Sequence, residues 1–258
     1  MAEFVRVERQ ASLAIVKINR PEVRNALNPR ALEELQAALN DVGSDELCRC
    51  AVLTGEGGTF TTGDDLTETA RMDQAGFAAM IAGFQSITTA LRAMPMPVIA
   101  AIEGYAVGGG LEIAAACDLR VCSEDAVFFC PEVRLGLLMS NGSTAILPRL
   151  IGAGRTRELV LTGRRFDAGW AERAGLVNRV VHHGQALEAA LDLALEISAG
   201  QPAAVRATKR LLNLVEDSEV ERALELETHA ALEAFADPEV VAGLRAELER
   251  WAARRRSP

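Results

Sequence analysis

Residues 96–120 constrain the fold more than any other stretch, because they join an apolar run to an unusual concentration of glycine. The run Val98–Ile102 is short and rich in Val, Ile and Ala, which predicts a buried strand. Gly104 and the glycine triplet at 108–110 then predict a turn with few side chains. Residues 111–116 predict a helix. The stretch therefore encodes a strand, a bare turn and the start of a helix in succession.

A bare turn that leads into a helix offers a binding place for negative charge. The first backbone N–H groups of a helix have no partner within it, and the helix dipole adds roughly half a positive charge there. Glycine lets a ligand approach such a backbone closely. Glu112 stands near the start of the same predicted helix. We therefore expect the floor of an active site here.

Composition excludes several classes of function. The 258 residues suffice for one large domain, and 49% hydrophobic and 24% charged residues are typical of a globular protein. A formal net charge of -9 argues against general binding of nucleic acid, which needs a basic face. There is no run of about twenty apolar residues, and the opening segment lacks a signal-peptide core. We therefore expect a cytoplasmic protein without a membrane span.

Cysteine and histidine contribute little to the expected chemistry. Five cysteines are an odd number for a disulfide framework, and Cys48 and Cys50 stand too close together for the usual zinc pair. The histidines, His182, His183 and His229, are expected to be solvated or packing residues. No metal or redox cofactor is indicated. Carboxylates and backbone groups are left as the candidate chemistry.

Strands and helices alternate along residues 1–184, whereas residues 185–258 have the period of helices throughout. This predicts an α/β core over the first range and a helical C-terminal module over the second. Within the module, separate helices are expected over 203–215 and 219–235. Helices with so much apolar surface often pack on a neighbouring subunit, so an oligomer is expected.

Local signals fix several element boundaries. Asn28 followed by Pro29 predicts the capped start of a helix, and Asp167 predicts the cap of another. A long amphipathic helix is expected to end before Pro95. Residues 133–141 have no periodic pattern, so an irregular loop is expected there.

Five blocks of sequence, in order along the chain, resemble the crotonase family, which is the enoyl-CoA hydratase/isomerase group. The blocks are residues 19–27 (NRPEVRNAL), 60–66 (FTTGDDL), 104–120 (GYAVGGGLEIAAACDLR), 131–137 (PEVRLGL) and a fifth made of 147–152, 161–166 and 175–178. They run through nearly the whole predicted α/β part. Any one block is modest support, but five in the family's order are specific.

The resemblance implies a spiral of ββα turns and a C-terminal helical region that forms trimers, which often pair into hexamers. It implies a coenzyme A thioester as substrate, so coenzyme A belongs to the substrate and no separate cofactor is expected. The backbone N–H groups of Asp64 and Gly109 match the pair that holds the thioester oxygen as it becomes enolate-like. Because Asp64 stands where a small residue is common, its carboxylate is expected to point away from that developing charge.

The family's contacts to coenzyme A match two loops and the glycine turn. The loop around Arg24 and Ala26, together with the second block, matches the contacts to the adenine and pantetheine portions. The matching positions are Arg24, Ala26, Thr62, Asp64, Asp65, Leu66, Gly108 and Gly109. Thr67 stands where some members have a lysine, which removes one phosphate contact.

Two glutamates, Glu112 and Glu132, match the family's acid–base pair. Two carboxylates that face one water can divide the work, since one deprotonates the water and the other gives a proton to the substrate carbon. Each glutamate has a simpler explanation: Glu112 could complement a helix N-terminus and Glu132 could cap a loop. Members with both glutamates are usually hydratases, whereas isomerases and hydrolases often keep only one.

The chain departs from the family pattern after the fourth block. The usual Pro-Gly-Ala-Gly-Gly-Thr-Gln-Arg is replaced by MSNGSTAI, and Ser140 takes the place of a glycine near the water and the acyl chain. The wall of the acyl pocket is therefore expected to be reshaped at Met139, Ser140, Asn141 and Ile146.

The leading hypothesis is an enoyl-CoA hydratase that adds water reversibly, with syn geometry, to a 2-enoyl-CoA. An isomerase, or a hydratase for a branched or cyclic acyl group, is an alternative motivated by the altered residues 139–146. A non-catalytic acyl-CoA-binding protein with the same fold is a second alternative. Retention of Glu112 and Glu132 argues against it, because a binder does not need two carboxylates beside an anion site.

Overall fold

The computed structural model describes residues 4–256, except for the side chains of residues 218, 251 and 253–256. Residues 1–3, which begin the opening segment discussed above, and residues 257–258, which end the predicted helical module, lie outside it. The strands are β1 (Val5–Gln10), β2 (Leu13–Ile18), β3 (Cys50–Gly55), β4 (Val98–Ile102), β5 (Tyr105–Val107), β6 (Leu119–Ser123), β7 (Val127–Phe129), β8 (Phe166–Asp167) and β9 (Arg179–Val181).

The helices surround these strands and dominate the C-terminal third of the chain. They are α1 (Pro29–Ser44), α2 (Leu66–Thr69), α3 (Gln74–Ala93), α4 (Gly109–Ala116), α5 (Ser143–Ile151), α6 (Ala153–Thr162), α7 (Ala168–Ala174), α8 (Ala186–Ser198), α9 (Pro202–Phe235) and α10 (Pro238–Arg256). Two short 3-10 helices cover Pro21–Val23 and Glu132–Arg134. The α/β class expected from the sequence is confirmed.

The strands form two sheets. The larger has the order β1-β2-β3-β4-β6-β9, with β1 antiparallel to β2 and all other neighbours parallel. The smaller has the order β5-β7-β8, with β5 parallel to β7 and β8 antiparallel to it. Parallel neighbours require long crossovers, which the helices between the strands supply.

The larger sheet is covered by helices, which explains why its central strands are continuous apolar runs. Every residue of β4 is buried. Leu35 of α1 joins Leu53 of β3 in the main hydrophobic core. Ala190 and Ala194 of α8 belong to a second apolar cluster, together with Ile99 of β4. The small alanine side chains let α8 lie close to the sheet.

Strand β5 corrects the prediction of one continuous bare turn between residues 104 and 110. It pairs with β7 and leads directly into α4, which begins two residues before the predicted residue 111. The early start is possible because Gly110 packs against the chain at Thr61. A Cβ at Gly110 would lie 2.6 Å from the carbonyl oxygen of Thr61.

Both predicted helix caps are confirmed. Asn28 Oδ1 accepts a hydrogen bond from Ala31 N at 2.9 Å, and Asp167 Oδ1 accepts one from Trp170 N at 2.7 Å. Helix α3 ends at Ala93, before the prolines, as the sequence indicates. Each of these boundaries depends on a signal within a few residues of it.

Helix α9 is one continuous helix of 34 residues, so the predicted break between 215 and 219 is wrong. Residues 215–219 include no Gly or Pro. Arg92 of α3 forms ion pairs with Glu216 and Asp217, at 3.3 and 3.0 Å, and so holds this part of α9 in place. Helix α9 packs on α3 and α5, and α10 packs on α9 and α2. The domain boundary at residue 184 stays a prediction. Within residues 4–256, no helix has the length and apolar character of a membrane span.

Candidate active site

Asp64 and Gly109, whose backbone N–H groups the resemblance singles out, line the same pocket. Gly109 is the first residue of α4, so its N–H has no partner within the helix. Asp64 forms an isolated bridge with Leu27, but the hydrogen bonds of that bridge use the flanking residues. Among the residues that the structure describes, neither N–H donates to another protein group. Both can therefore donate to an acceptor in the pocket.

Close packing explains why this wall is built from glycine. A Cβ at Gly63 would lie 2.9 Å from Gly109 N, and one at Gly109 would lie 2.7 Å from the ring of Phe84. Gly108 has φ 52° and ψ -127°, a region essentially restricted to glycine. A Cβ at Gly108 would lie 2.6 Å from Oε1 of Glu132. The bare backbone thus lies directly against a carboxyl group.

Glu112 lies on α4 and is only 2% exposed. Its Oε1 accepts a hydrogen bond from Asn141 N at 3.2 Å. Burial raises the pKa of this carboxyl well above its usual range, and the charges of Glu132 and Glu227 raise it further. The Asn141 N–H opposes this rise in pKa, because it stabilises the ionised form.

Glu132 begins a 3-10 turn after β7 and faces the same pocket. Its Oε2 is buried and has no hydrogen-bond partner among the described residues. Burial raises the pKa of Glu132 to about 8, and the charge of Asp64 contributes. Two interacting buried carboxyl groups do not both ionise readily, so the pair with Glu112 retains a proton near neutral pH. Asn141 N–H favours the ionised form of Glu112, whereas Oε2 of Glu132 has no donor among the described residues.

Asp64 is a third acidic residue that lines this pocket. Burial and, secondarily, the charge of Asp65 raise the pKa of the Asp64 carboxyl to about 7. Its charge also reaches Glu132 and helps to raise that pKa. The expectation that its side chain points away from the site stays a prediction. Three acidic residues, Asp64, Glu112 and Glu132, line the pocket, and the pKa of each carboxyl group is raised.

The remaining walls of the pocket are mostly apolar. The pocket has a volume of about 360 Å³, part of it open to solvent. The apolar lining comes from α3 and from the segment after Glu132, and it consists of Phe77, Met80, Ile81, Phe84, Leu137 and Leu138. Such a lining suits the hydrocarbon part of a ligand, with polar groups held at the amide and carboxyl walls.

The loop expected to contact coenzyme A is tightly folded. Arg24 has φ 56° and Asn25 has φ 57°, values uncommon for residues other than glycine. The carbonyl oxygen of Arg24 accepts a hydrogen bond from Thr62 N at 3.3 Å. The guanidinium of Arg24 lies 5.5 Å from the ring centre of Tyr105. Arg24 and Thr62 therefore lie together, with the Arg24 side chain exposed.

Three other expected contacts are engaged with the protein itself. The carbonyl oxygen of Ala26 accepts a hydrogen bond from Arg20 Nη1 at 2.5 Å, and Asp65 pairs with Arg20 at 3.2 Å. Leu66 packs against the apolar cluster that contains Phe77. The Arg20 side chain thereby links the first block, residues 19–27, to the second, residues 60–66.

The altered segment after Leu138 contributes unequally to the pocket. Ser140 and Asn141 line it, as expected. Met139 and Ile146 instead pack into the main core and are not among the lining residues, so they change the wall only indirectly. Asn141 reaches the pocket because it lies just before α5, where its backbone N–H donates a hydrogen bond to Glu112.

Sequence reasoning missed Glu227, which belongs to α9 and is 5% exposed. Its Oε2 accepts a hydrogen bond from Gly142 N at 2.6 Å, and its Oε1 accepts one from Thr144 N at 2.8 Å. Nothing in the local sequence marks this residue, because several glutamates stand on the same helix. Only the fold brings it beside the segment that contacts Glu112.

The histidine turn contains a small polar cluster away from the pocket. His183 Nδ1 lies 2.9 Å from Asp125 Oδ2, and Glu103 lies within reach of both. Glu103 accepts a hydrogen bond from Ala186 N at 2.8 Å, which caps α8. His183 is an exposed residue, in keeping with the prediction of a solvated or packing role. The five cysteines are all free and buried.

Comparison with solved structures defines the class. An enoyl-CoA hydratase/isomerase from Mycobacterium paratuberculosis, 28% identical, matches 95% of this chain and 99% of its own with a TM-score of 0.88. An enoyl-CoA hydratase from Bacillus anthracis, 33% identical, matches 96% of each chain with a TM-score of 0.81. The fold is therefore of the crotonase-like α/β class, as the sequence predicted.

Sequence comparison gives the family. The family described as enoyl-CoA hydratase/isomerase matches residues 8–254, and the chain belongs to it. A putative enoyl-CoA hydratase/isomerase of Bacillus subtilis is 39% identical over 84% of this chain and 84% of its own. A short-chain-enoyl-CoA hydratase of Clostridium acetobutylicum is 36% identical over 89% of this chain and 88% of its own.

Proposed function

We propose that the protein is an enoyl-CoA hydratase that adds water reversibly, with syn geometry, to the double bond of a 2-enoyl-CoA thioester. The observation that carries this proposal is the arrangement of the pocket. Two backbone N–H groups, at Asp64 and Gly109, have no partner among the described residues and belong to the same pocket as Glu112 and Glu132. The named hydratases among the relatives support the same activity.

The amide wall performs the electrostatic part of the proposed reaction. The thioester oxygen accepts hydrogen bonds from Asp64 N–H and Gly109 N–H. These bonds strengthen as negative charge moves onto that oxygen, which lowers the barrier to addition at C3. The dipole of α4 acts in the same direction, because Gly109 is its first residue.

The carboxyl wall moves the protons. In the proposed reactive state the proton of the pair is on Glu132, and Glu112, whose ionised form is stabilised by Asn141 N–H, accepts a proton from water as the water oxygen bonds to C3. Glu132, which retains a proton near neutral pH, gives it to C2 of the substrate. The sum is one water added across the double bond, with the proton now on Glu112 rather than Glu132. Return of that proton to Glu132 restores the site.

The substrate, assembly and location follow as further parts of the proposal. Arg24, Ala26, Thr62, Asp65, Leu66 and Gly108 shape the binding place for the coenzyme A portion, so no separate cofactor is needed. The exposed apolar residues of α9 support a homotrimer or a dimer of trimers; they are Leu211, Leu212, Leu214, Val215 and Leu226. We place the protein in the cytoplasm.

A spectrophotometric assay of crotonyl-CoA hydration tests the proposal. The wild-type protein should remove the absorbance of the conjugated thioester, and Glu132→Gln should not. Glu188→Gln, which removes a charge from the exposed face of α8, is the matched control and should behave as wild type. Equal rates for wild type and Glu132→Gln would exclude the catalytic assignment.

A second candidate is an isomerase, or a hydratase for a branched or cyclic acyl group. It is favoured by the two polar side chains, Ser140 and Asn141, on the pocket wall. A panel of straight, branched and cyclic enoyl thioesters separates these activities from plain hydration. Binding of coenzyme A without turnover of any enoyl thioester would instead support a non-catalytic acyl-CoA-binding protein.

A further inference from the structure

The segment from Ser140 to Thr144 lies between the active site and the C-terminal helix α9. On its inner side, Asn141 N donates to Glu112. On its outer side, Gly142 N and Thr144 N donate to the two oxygens of Glu227. Successive backbone N–H groups of one short segment are thus divided between a proposed catalytic carboxyl group and a carboxyl group of the distant helix.

A second contact holds the same segment from α3. Gln85 Nε2 donates to the carbonyl oxygen of Ser140 at 2.8 Å, to Thr228 Oγ1 at 2.7 Å and to the carbonyl oxygen of Leu224 at 3.0 Å. Gly142 has φ 81°, and a Cβ there would lie 3.2 Å from Leu224 Cδ2. Helix α9 therefore packs against the segment closely enough to fix its backbone.

We propose that Glu227 is a positioning residue for the hydration reaction: from α9 it fixes the backbone at Gly142 and Thr144 so that Asn141 N–H stays on Glu112. This inference rests on the proposed function. Glu227 is not among the lining residues of the pocket, so its hydrogen bonds reach the site only through the segment it holds. The C-terminal helix is in this way part of the active-site framework.

The charges around Glu112 give the positioning role an electrostatic signature. Besides burial, three elements change the pKa of Glu112. Glu132, on the turn after β7, and Glu227, on α9, raise it through their charges. Ser143, the first residue of α5, and Asn141, two residues earlier, lower it. Burial raises the pKa of Glu227 itself, and its bonds with Thr144 and Gly142 oppose that rise. Removing the Glu227 charge should therefore lower the pKa of Glu112.

Two substitutions separate position from charge. Glu227→Gln removes the charge and leaves one oxygen acceptor for two N–H donors. Glu227→Asp keeps the charge but withdraws both oxygens by about the length of one methylene group, which a positioning role should not tolerate. Glu225→Gln removes a charge from the exposed face of the same helix two residues away and is the matched control.

Amide hydrogen exchange of the full chain tests the positioning without any substrate. In Glu227→Gln and Glu227→Asp, the amides of Asn141, Gly142 and Thr144 should exchange at least about tenfold faster than in wild type, because a charge-assisted hydrogen bond is lost. Glu225→Gln should leave them unchanged. Unchanged exchange at Asn141 in both Glu227 variants would overturn the inference.

Hydration of crotonyl-CoA supplies the second readout. We expect kcat to fall about 10- to 100-fold in both Glu227 variants, with KM changed less than about threefold, since misplacement affects the reacting geometry more than binding. The acid limb of the pH profile should move to lower pH in Glu227→Gln only. If both variants match Glu225→Gln in kcat and pH profile, the inference is wrong. If wild type hydrates no enoyl thioester, the proposed function falls, and hydrogen exchange still decides whether Glu227 fixes the segment.

Discussion

The two polar walls of the pocket are built in different ways. The amide wall consists of backbone from two motifs, at residues 63–64 and 108–110, and glycines make most of it. The carboxyl wall consists of side chains from α4, from the turn after β7 and, behind them, from α9. Its outermost member, Glu227, is 85 residues away from its partner Gly142 in the sequence.

This difference predicts how each wall responds to change. The amide wall has no room, because added Cβ atoms would lie 2.6 to 2.9 Å from their neighbours. Substitutions there act by steric displacement. The carboxyl wall contains groups whose pKa values are set by burial and by one another. Substitutions there act through charge and hydrogen bonding, and distant residues take part.

The largest effect is expected at the centre of the carboxyl wall, in Glu132→Gln. Glutamine keeps the shape of glutamate but cannot give up a proton, so the proton transfer to C2 is lost. A positioned acid or base contributes about 100- to 10,000-fold to rate, and we expect kcat for crotonyl-CoA to fall by that amount. Steady-state kinetics at neutral pH measure it.

The same variant has a stability consequence that checks the assignment. The Oε2 of Glu132 is buried and has no hydrogen-bond partner in the part of the chain that the structure describes, and the raised pKa means that the ionised group is unfavourable in the folded state. Because the folded-state pKa is raised, wild type loses stability as the pH rises through about 8, whereas Glu132→Gln should lose less. Thermal unfolding at pH 6 and pH 9 compares them. A larger loss in the variant would contradict the assignment.

The next largest effect is expected on the amide wall, in Gly108→Ala. The new Cβ would collide with Glu132 Oε1, and the backbone at φ 52° and ψ -127° disfavours alanine. The start of α4 must shift, which displaces Gly109 N–H from the thioester oxygen. We expect a loss of about 100- to 1000-fold in kcat/KM, the typical effect of removing one such donor.

Gly58→Ala is the control for backbone strain. Gly58 also has a positive φ, 75°, but a Cβ there would have no neighbour within 4 Å. The substitution should cost stability by about 1 kcal/mol and leave hydration unchanged. If both glycine variants lost activity equally, strain rather than the geometry of the amide wall would explain the result.

The two walls also differ in how far the sequence predicted them. Gly109 N–H and Glu112 lie within a stretch whose strand, glycines and helix start follow one another directly, so short-range rules indicated them, whereas Asp64 N–H was implied only by the resemblance to the family. The caps at Asn28 and Asp167 were predictable for the same reason. Strand β5 was missed because three residues between glycines give too short a pattern to distinguish from a turn.

Contacts between distant segments were not predictable. The raised pKa of Asp64 depends on a pocket made by several elements, which the sequence did not indicate. The continuity of α9 depends on Arg92 of another helix. Glu227 differs from other glutamates of α9 only in what it contacts. In each case contacts between distant segments decide the outcome, and a single sequence does not show which segments the fold brings together.

A smaller effect is expected from Asp64→Asn. Asp64 belongs to the amide wall, but its charge acts on Glu132 in the carboxyl wall. Asp64 ionises near pH 7, and its charge raises the pKa of Glu132. Removing that charge lowers the pKa of Glu132, so the alkaline limb of kcat/KM should move to lower pH. Activity at alkaline pH should fall by up to about tenfold, equivalent to about 1.4 kcal/mol, with the plateau less affected.

The pH profile of Asp192→Asn, an exposed position on α8, is the control. It should coincide with that of wild type. A limb that moves to higher pH in Asp64→Asn would mean that Asp64 stabilises the ionised form of Glu132, contrary to the geometry described above.

The smallest effect is expected from Ser140→Gly, which restores the glycine common in the family. The Ser140 hydroxyl donates only a long bond of 3.4 Å to Asn141 Oδ1, whereas its carbonyl oxygen is held by Gln85 at 2.8 Å. The backbone should therefore stay in place when the side chain is removed. Crotonyl-CoA hydration should change by less than about threefold, and kcat/KM for a branched enoyl thioester should rise about two- to fivefold, because added space in an apolar pocket is worth little per atom.

The ratio of the hydration rates of crotonyl-CoA and the branched thioester in Ser140→Gly measures how far the carboxyl wall depends on the Ser140 side chain. If the crotonyl rate instead fell about tenfold, the Ser140 side chain would be needed to hold Asn141 N–H on Glu112. The carboxyl wall would then depend on every residue of the 140–144 segment rather than on its backbone anchors, Gln85 and Glu227. A rise for the branched substrate alone would mean that the altered segment sets acyl preference without touching the proton-transfer geometry.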